Sequence, residues 1–336
     1  MRNFTCVNDV EDINALVREA IALKENPFNH RQLGANKTLG LIFLNPSLRT
    51  RLSTQKAAMN LGMQVMVMNI DKEGWALEMQ DGTVMDGNKV EHIREAAAVL
   101  GQYCDVIGIR SFPGLTNREE DYNEEILRKI ISYTKVPIVS MESATRHPLQ
   151  SLADLVTITE FATAWNKPKP KVVLTWAPHI KPLPQAVPNS FSEWMCKADV
   201  DFVITHPKGY ELAPQFTDGA TITYNQDEAL RDADFVYVKN WSCYEPYGHI
   251  QGNHRDWMLN NKKLYRASNA HIMHCLPVRR NVELSDELLD GQNSIVAHQA
   301  GNRVCAAQAV LKKILEDNFQ PFYAETIYSQ DREQYN

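Results

Sequence analysis

Residues 39–51 read Leu-Gly-Leu-Ile-Phe-Leu-Asn-Pro-Ser-Leu-Arg-Thr-Arg, and they predict a buried strand that turns directly into a helix. The strand is predicted from Leu39 to Asn45 and the helix from Thr50 to Leu61. Backbone N–H groups and the helix dipole make such a helix start attractive to anions. Ser47 and Thr50 add hydroxyl donors, and Arg49 adds a planar fork that suits phosphate. Taken alone, the stretch is equally consistent with a plain serine cap beside a solvated arginine.

Strand and helix patterns continue to alternate on the C-terminal side of this stretch. Further strands are predicted at residues 64–70, 105–111, 136–141, 171–176, 201–205, 234–239, 270–275 and 294–297, and helices at 91–103, 120–133, 148–162, 185–197 and 302–318. This alternation predicts an α/β fold of two doubly wound parallel-sheet domains linked by helices. The break Asn166-Lys167-Pro168-Lys169-Pro170 precedes the second sheet. We expect domains at residues 1–150 and 151–301, with a C-terminal helix over 302–336 packing back on the first.

Composition argues against a nucleic-acid-binding protein and against a membrane protein. The chain has 336 residues and a net charge of −6, which argues against nucleic acid as the main partner because phosphate backbones bind basic faces. No apolar run approaches the roughly 18 residues that cross a bilayer, and no secretory signal opens the sequence, so we expect no membrane association. Six scattered cysteines without a Cys-x-x-Cys pair indicate a reducing, cytoplasmic compartment.

Four other polar segments follow predicted strands or open predicted helices. They are Gly108-Ile109-Arg110-Ser111, Arg146-His147-Pro148-Leu149-Gln150, His274-Cys275-Leu276-Pro277 and Gly301-Asn302-Arg303. Open α/β sheets bind ligands at the carboxyl ends of their strands, so these segments are candidates for one site. Any one of them alone favours a structural role. The spacing of His271 and His274 on a strand does not suit a metal pair, and we expect neither a metal nor a cofactor.

Together and in this order, the segments resemble the aspartate/ornithine carbamoyltransferase family. The family's phosphate motif, usually Ser-Thr-Arg-Thr, resembles residues 47–50, and its His-Pro-x-Gln motif matches residues 147–150. The His-Cys-Leu-Pro motif of the ornithine branch is unchanged at residues 274–277. The arginines at 110 and 303 match family positions, and the resemblance extends over essentially the whole chain.

The resemblance implies an enzyme that transfers the carbamoyl group of carbamoyl phosphate to an amine. It implies that carbamoyl phosphate is bound by Ser47, Leu48, Arg49, Thr50, Trp75, Arg110, His147, Gln150, Cys275, Leu276 and Arg303. Thr50, Arg110 and His147 would stabilise the carbonyl oxygen as negative charge develops on it. Gln150 and the backbone near Cys275 and Leu276 would take the carbamoyl NH2, and Cys275 would orient or deprotonate the attacking amine. Trp75 matches a loop that reaches a neighbouring subunit, which implies the family's homotrimer.

The amine substrate is indicated by a departure from ordinary ornithine enzymes. Those carry a Ser-Met-Gly loop that this chain lacks, and residues 238–243 read Val-Lys-Asn-Trp-Ser-Cys instead. Residues 84–87, 176–179, 182–190 and 276–281 resemble the acylornithine branch. That resemblance implies that the acylornithine is bound by Glu142, His179, Lys239, Arg279 and Val90. It also implies that the proline-rich loop at 182–190 is threaded into a knot, which is rare among folds.

Two positions bear on the acyl group. The acetyl branch has Glu at the position of Val90, where a carboxylate would repel a succinyl carboxylate, so the neutral Val90 favours succinyl. The acetyl branch also has a carboxylated lysine where this chain has Glu283, although a negative charge there does not fit a succinyl group neatly. We therefore expect carbamoylation at N5 of N-succinyl-L-ornithine, giving N-succinyl-L-citrulline and phosphate in arginine biosynthesis.

Two alternatives stay open at this point. One is the same reaction with N-acetylornithine. The other is a non-catalytic anion-binding α/β protein, and it has no need for a complete set of reactive residues. The residues that argue against it are Arg49, Arg110, His147, Gln150, Cys275 and Arg303.

Overall fold

The computed structural model describes residues 1–319, which form parallel sheets flanked by helices. The strands are β1 Thr38–Phe43, β2 Gln64–Asn69, β3 Leu77–Glu78, β4 Glu91–His92, β5 Val106–Arg110, β6 Ile138–Glu142, β7 Lys171–Trp176, β8 Asp201–Thr205, β9 Thr221–Thr223, β10 Phe235–Lys239 and β11 His271–Met273. The α-helices are α1 Ile13–Glu25, α2 Leu48–Asn60, α3 Ile70–Glu73, α4 Ile93–Tyr103, α5 Arg118–Tyr122, α6 Glu125–Tyr133, α7 Pro148–Ala164, α8 Ala186–Met195, α9 Gln226–Leu230, α10 Asp286–Leu289 and α11 Val296–Asn318.

Two larger sheets confirm the predicted α/β class. Their strand orders are β2-β1-β5-β6 and β11-β10-β7-β8-β9, and every pairing within them is parallel. In each sheet the strand order reverses direction once, between β1 and β5 in the first and between β7 and β10 in the second. Open parallel sheets bind ligands outside the carboxyl ends of the strands at such reversals. The fold therefore provides two neighbouring binding positions.

Two long helices connect the sheets. The buried helix α7 follows β6 and leads into the second sheet through the proline-containing break. Helix α11 packs on α7, where the amide of Asn302 donates to the hydroxyl of Thr157 at 2.9 Å, and on α2, where Asn60 donates to Gln308 at 2.9 Å. We propose the domain division at residues 150 and 151, with α11 belonging to the first domain. The part of the predicted C-terminal helix beyond residue 319 lies outside the described residues.

Two predicted elements are wrong in detail. The helix predicted over 120–133 is divided into α5 and α6, because Glu124 has a left-handed backbone with φ of 52°. Its carboxylate accepts hydrogen bonds from the backbone N–H groups of Ala144 and Thr145, at 3.2 and 2.8 Å, which a continuous helix would not allow at this position.

The strand predicted over 294–297 is also wrong. Ser294 makes an isolated bridge to Ile272, and α11 begins immediately afterwards at Val296, six residues before the predicted start. The β-branched pair Ile295-Val296 suggested a strand, but the packing of α11 against α7 outweighs that local preference. Helix α1, which was not predicted, is amphipathic and buries Leu16, Val17, Ala20 and Leu23.

Among residues 1–319, no helix has the length and apolarity needed to cross a bilayer.

Candidate active site

A cleft with a volume of about 520 Å³ lies where both sheet reversals meet. It brings together most of the predicted residues. The predicted residues that line it are Ser47, Arg49, Thr50, Arg110, Glu142, His147, Gln150, His179, Lys239, Cys275, Leu276, Arg279 and Arg303. Lys181 also lines the cleft and was missed, because the surrounding prolines indicated only an irregular loop.

Three predicted residues do not line the cleft in this chain. Leu48, Trp75 and Val90 have exposed fractions of 68%, 57% and 65%. Trp75 donates its indole N–H to Glu91 at 2.7 Å, within the same exposed region of the first domain. If these three residues bind substrate, they must do so outside the cleft of their own chain.

The N-terminus of α2 forms one wall of the cleft. Ser47 caps the helix, and its hydroxyl oxygen accepts from the N–H of Thr50 at 3.3 Å. The first turn of a helix leaves backbone N–H groups without carbonyl partners in the helix. Thr50 is held in turn from α11, because Arg303 donates to its hydroxyl at 2.6 Å.

Three arginines surround this helix start. Arg110 donates to Glu142 at 3.1 and 2.8 Å and also to the carbonyl of Pro46, so it is fixed between β6 and the loop before α2. No carboxylate within the described residues forms an ion pair with Arg49 or Arg303. Burial lowers the pKa of both, that of Arg303 to about 10, so both stay charged at neutral pH. A buried cation, Arg303, and a half-buried one, Arg49, that both lack a carboxylate partner are suited to a dianionic ligand.

His147 provides a neutral polar group in the same wall. Its ring is buried, and its Nε2 lies 3.6 Å from the carboxylate of Glu142. Burial and the charges of Arg303 and Arg110 hold the pKa of His147 well below its usual value. The imidazole is therefore neutral at pH 7 and can donate one N–H to an oxygen without adding charge.

Cys275 follows β11 at the junction of the two walls. Burial raises the pKa of its thiol despite the nearby charge of Lys239, so the thiol is neutral at pH 7. A neutral thiol is a weak hydrogen-bonding group. It can help to orient an amine, but it has no negative charge with which to take a proton.

The opposite wall carries cations on loops of the second sheet. Arg279 donates its Nε–H to Nε2 of His179 at 3.0 Å, so the proton of this imidazole is on Nδ1, which lies 2.9 Å from the carbonyl of Lys181. Burial lowers the pKa of His179, and the nearby Lys239 and Arg279 lower it further, which keeps the ring neutral. Lys239, at the end of β10, lies 8% exposed at the floor of this wall.

Glu283 lies behind this wall and does not line the cleft. It is 1% exposed, and its carboxylate accepts from the backbone N–H of Arg279 at 2.7 Å. Its other oxygen lies 3.5 Å from Nε2 of His274. Burial alone would raise the pKa of Glu283, but His274 and Lys239 outweigh it and lower the pKa. The negative charge that did not suit a succinyl group is therefore directed at the loop that carries Arg279.

Comparison with known proteins identifies relatives over most of the chain. Residues 2–160 match the family model described as aspartate/ornithine carbamoyltransferase, carbamoyl-P binding domain, and residues 185–314 match the Asp/Orn binding domain of the same family. The chain is 52% identical over 318 residues to the N-succinylornithine carbamoyltransferase of Bacteroides thetaiotaomicron, covering 94% of this chain and 99% of that protein. It is 34% identical over 328 residues to the N-acetylornithine carbamoyltransferase of Xylella fastidiosa, covering 92% and 96%.

Solved structures show the same fold. A variant of N-acetyl-L-ornithine transcarbamylase complexed with carbamyl phosphate and N-succinyl-L-norvaline matches with a TM-score of 0.86 and 31% identity, covering 94% of this chain and all of that one. An acetylornithine transcarbamylase complexed with acetylcitrulline matches equally well, with a TM-score of 0.86 and 31% identity over 94% of this chain and 99% of that one.

Proposed function

The chain belongs to the aspartate/ornithine carbamoyltransferase family, and we propose that it carbamoylates N5 of N-succinyl-L-ornithine, giving N-succinyl-L-citrulline and phosphate. One observation carries the proposal. Cations without carboxylate partners at the start of α2 face, across one cleft, a second set of cations on the loops of the other sheet. A dianion and an amino-acid derivative with its own carboxylates can therefore bind side by side.

The phosphate of carbamoyl phosphate is placed at the N-terminus of α2. Ser47, Arg49 and Thr50 would bind its oxygens there, with Arg303 contributing from α11. Positive charge at this position also stabilises phosphate as it leaves, since negative charge accumulates on the leaving group.

The carbonyl oxygen is placed between Thr50, Arg110 and His147. Attack by the amine forms the new C–N bond and turns this oxygen into an oxyanion, which those donors stabilise because they are already oriented. The C–O bond to phosphate then breaks, the electron pair leaves with the phosphate, and a phosphate oxygen takes the proton that the attacking amine loses. Alignment of two bound reactants supplies much of the rate, and Cys275 lies where it can help to orient the amine.

The acylornithine is placed along the opposite wall. Lys239 and Arg279 would bind its α-carboxylate, with His179 and Glu142 as neighbours. Trp75 and Val90 are exposed and outside this cleft, so we propose that a neighbouring copy in a homotrimer supplies them, with Leu48 near the same junction. The proposed path of the acyl group runs from the cleft of one copy toward Val90 of the next.

The succinyl group is favoured over the acetyl group by two independent observations. Val90 places no negative charge where a succinyl carboxylate would arrive, and the succinylornithine relatives are 52% identical whereas the acetylornithine relatives are 34% identical. N-Acetylornithine is the second candidate substrate. The proposed product suits a role in arginine biosynthesis. The scattered cysteines suit a cytoplasmic location. The knotted path of residues 182–190 stays a prediction.

The experiment is an assay of phosphate and citrulline-type product with carbamoyl phosphate and three amines. We expect turnover with N-succinylornithine well above that with N-acetylornithine, and none with free ornithine. Turnover with free ornithine alone would contradict an acylornithine enzyme. Binding of carbamoyl phosphate without turnover of any amine would support the non-catalytic alternative.

A further inference from the structure

A buried carboxylate lies directly behind the cleft, one helical turn after Gln150. Asp154 has no solvent exposure. Its Oδ1 accepts a hydrogen bond from Nε2 of Gln150 at 2.7 Å and another from Nε2 of Gln299, on α11, at 2.7 Å. Neither glutamine has a second carboxylate partner within the described residues, so Asp154 determines how both amides are turned.

The orientation of Gln150 has a direct chemical consequence. The single oxygen Oδ1 of Asp154 accepts from both glutamines, so the NH2 end of the Gln150 amide faces Asp154. The oxygen end, Oε1, then faces the other way. It is buried and has no partner within the described residues, while Gln150 lines the cleft. A buried acceptor without a partner next to a ligand cleft is a position for a ligand donor.

The orientation of Gln299 fixes backbone beside the second wall of the cleft. With its NH2 end on Asp154, its Oε1 accepts the backbone N–H of His274 at 2.9 Å. The ring of His274 then accepts the N–H of Leu276 at 2.9 Å, through Nδ1. The backbone of residues 274–276 is thereby fixed beside the cleft. The Asp154 carboxylate thus determines both the direction of the Gln150 amide oxygen and the position of the backbone near Cys275.

We propose that Asp154 is a positioning residue that turns Gln150 and Gln299 so that the cleft presents hydrogen-bond acceptors to the NH2 of carbamoyl phosphate. The inference rests on the proposed function and assigns the selection of the carbamoyl group to a residue that does not touch the substrate. The NH2 group offers two N–H donors, whereas the methyl group of acetyl phosphate offers none. A site built to accept hydrogen bonds discriminates strongly against an analogue that lacks the donors, because its buried acceptors are left unpaired.

Four charged or titratable groups lie near Asp154, on the strands and helices that pack against it. Tyr237 of β10, Cys275 after β11 and Arg303 of α11 are the groups near enough to affect its pKa, and its second oxygen has no hydrogen-bond partner within the described residues. His147 begins the same helix and is neutral. The hydrogen bonds to the Asp154 carboxylate come from the two glutamine amides.

The test compares two substitutions of Asp154. Asp154→Leu removes the acceptor at similar size, while Asp154→Asn can keep an oxygen at the position of Oδ1. We measure the dissociation constants of carbamoyl phosphate and acetyl phosphate by calorimetry, and kcat with N-succinylornithine. We expect Asp154→Leu to lower kcat. We also expect it to reduce the preference for carbamoyl phosphate, measured as the ratio of the two dissociation constants, by about 10-fold or more. We expect Asn to retain most of the preference.

Thr157→Val is the matched control, since Thr157 is equally buried on the same helix and bonds to α11 but does not line the cleft. It should lower thermal stability and leave the preference unchanged. If Asp154→Leu does not fold, Gln299→Met breaks the same network from α11 and should give a smaller loss of preference. A wild-type ratio of the two dissociation constants in the folded variant would overturn the inference. Failure of the wild-type enzyme to turn over any acylornithine would instead overturn the proposed function.

Discussion

The two walls of the cleft are built in different ways. The wall that is proposed to bind phosphate stands on regular elements, with Arg110 at the end of β5, Thr50 in the first turn of α2 and Arg303 inside α11. Its members bond to one another, as in the 2.6 Å contact between Arg303 and Thr50. The wall that is proposed to bind the acylornithine stands on the end of β10 and on loops after β7 and β11, and its predicted member Val90 is exposed outside the cleft.

This difference separates what the reaction needs from what selects the substrate. Most of the proposed carbamoyl phosphate site lies within one chain, where contacts of Arg110 and Arg303 join β5, α2 and α11. Its predicted members Leu48 and Trp75 lie outside the cleft. The proposed acylornithine site includes Val90, which also lies outside the cleft of its own chain. Loops positioned by a rigid scaffold are where binding specificity commonly resides. Changes to the first wall should therefore affect every substrate, and changes to the second should affect the choice among acyl groups.

The largest effect is expected from Arg49→Ala. Loss of a half-buried cation that has no carboxylate partner should lower kcat/KM by about 100-fold or more, equally for all amines. Arg51→Ala, on the same helix but outside the cleft, is the control. Steady-state kinetics with varied carbamoyl phosphate measure the effect, and a near-normal rate would mean that phosphate binds elsewhere.

A smaller and more selective effect is expected from Val90→Glu. A carboxylate there should repel the succinyl carboxylate and move the succinyl-to-acetyl ratio of kcat/KM toward acetyl by about 10-fold. Val84→Glu adds the same charge to the same exposed segment and should change the ratio less. An unchanged ratio in Val90→Glu would show that this position does not select the acyl group.

The smallest effect concerns stability, at the buried carboxylate between the walls. Burial raises the pKa of Asp154 to about 7, although its hydrogen bonds with Gln299 and Gln150 act in the opposite direction. The folded state therefore favours the protonated form, so the stability contributed by this group is present at low pH and is lost as pH rises toward 7. The melting temperature of Asp154→Asn minus that of the wild type should therefore be a few degrees larger at about pH 8 than at about pH 5. A difference that does not change with pH would contradict the raised pKa.

The sequence predicted the fold and most of the cleft because both depend on local patterns. Alternating strand and helix periods indicated parallel sheets, and polar segments after strands indicated where they would converge, so Arg110, His147, Lys239 and Cys275 were found together. Boundaries failed where tertiary contacts decide them, as at Glu124 and at the start of α11.

Other features depend on contacts between residues far apart in sequence. The carboxylate of Asp154 joins Gln150 to Gln299, which lies 145 residues beyond Asp154 in sequence, and no spacing indicates such a pair. Glu283 was expected near the substrate, but its side chain points behind Arg279 because a backbone N–H and a histidine are available there. Lys181 was hidden among prolines whose pattern indicates only a loop.

The proposal that each active site combines residues of two copies is tested most directly by mixing two defective chains. Arg49→Ala damages the phosphate wall of its own chain, and Trp75→Ala is proposed to remove a carbamoyl phosphate-binding residue from the site of a neighbour. Each variant alone should be nearly inactive. In randomly mixed trimers, a chain with intact Arg49 can receive an intact Trp75 from its neighbour, and activity should return to about one quarter of the wild-type value. Activity no higher than the average of the two parents would contradict a site shared between copies, as would full activity of Trp75→Ala alone.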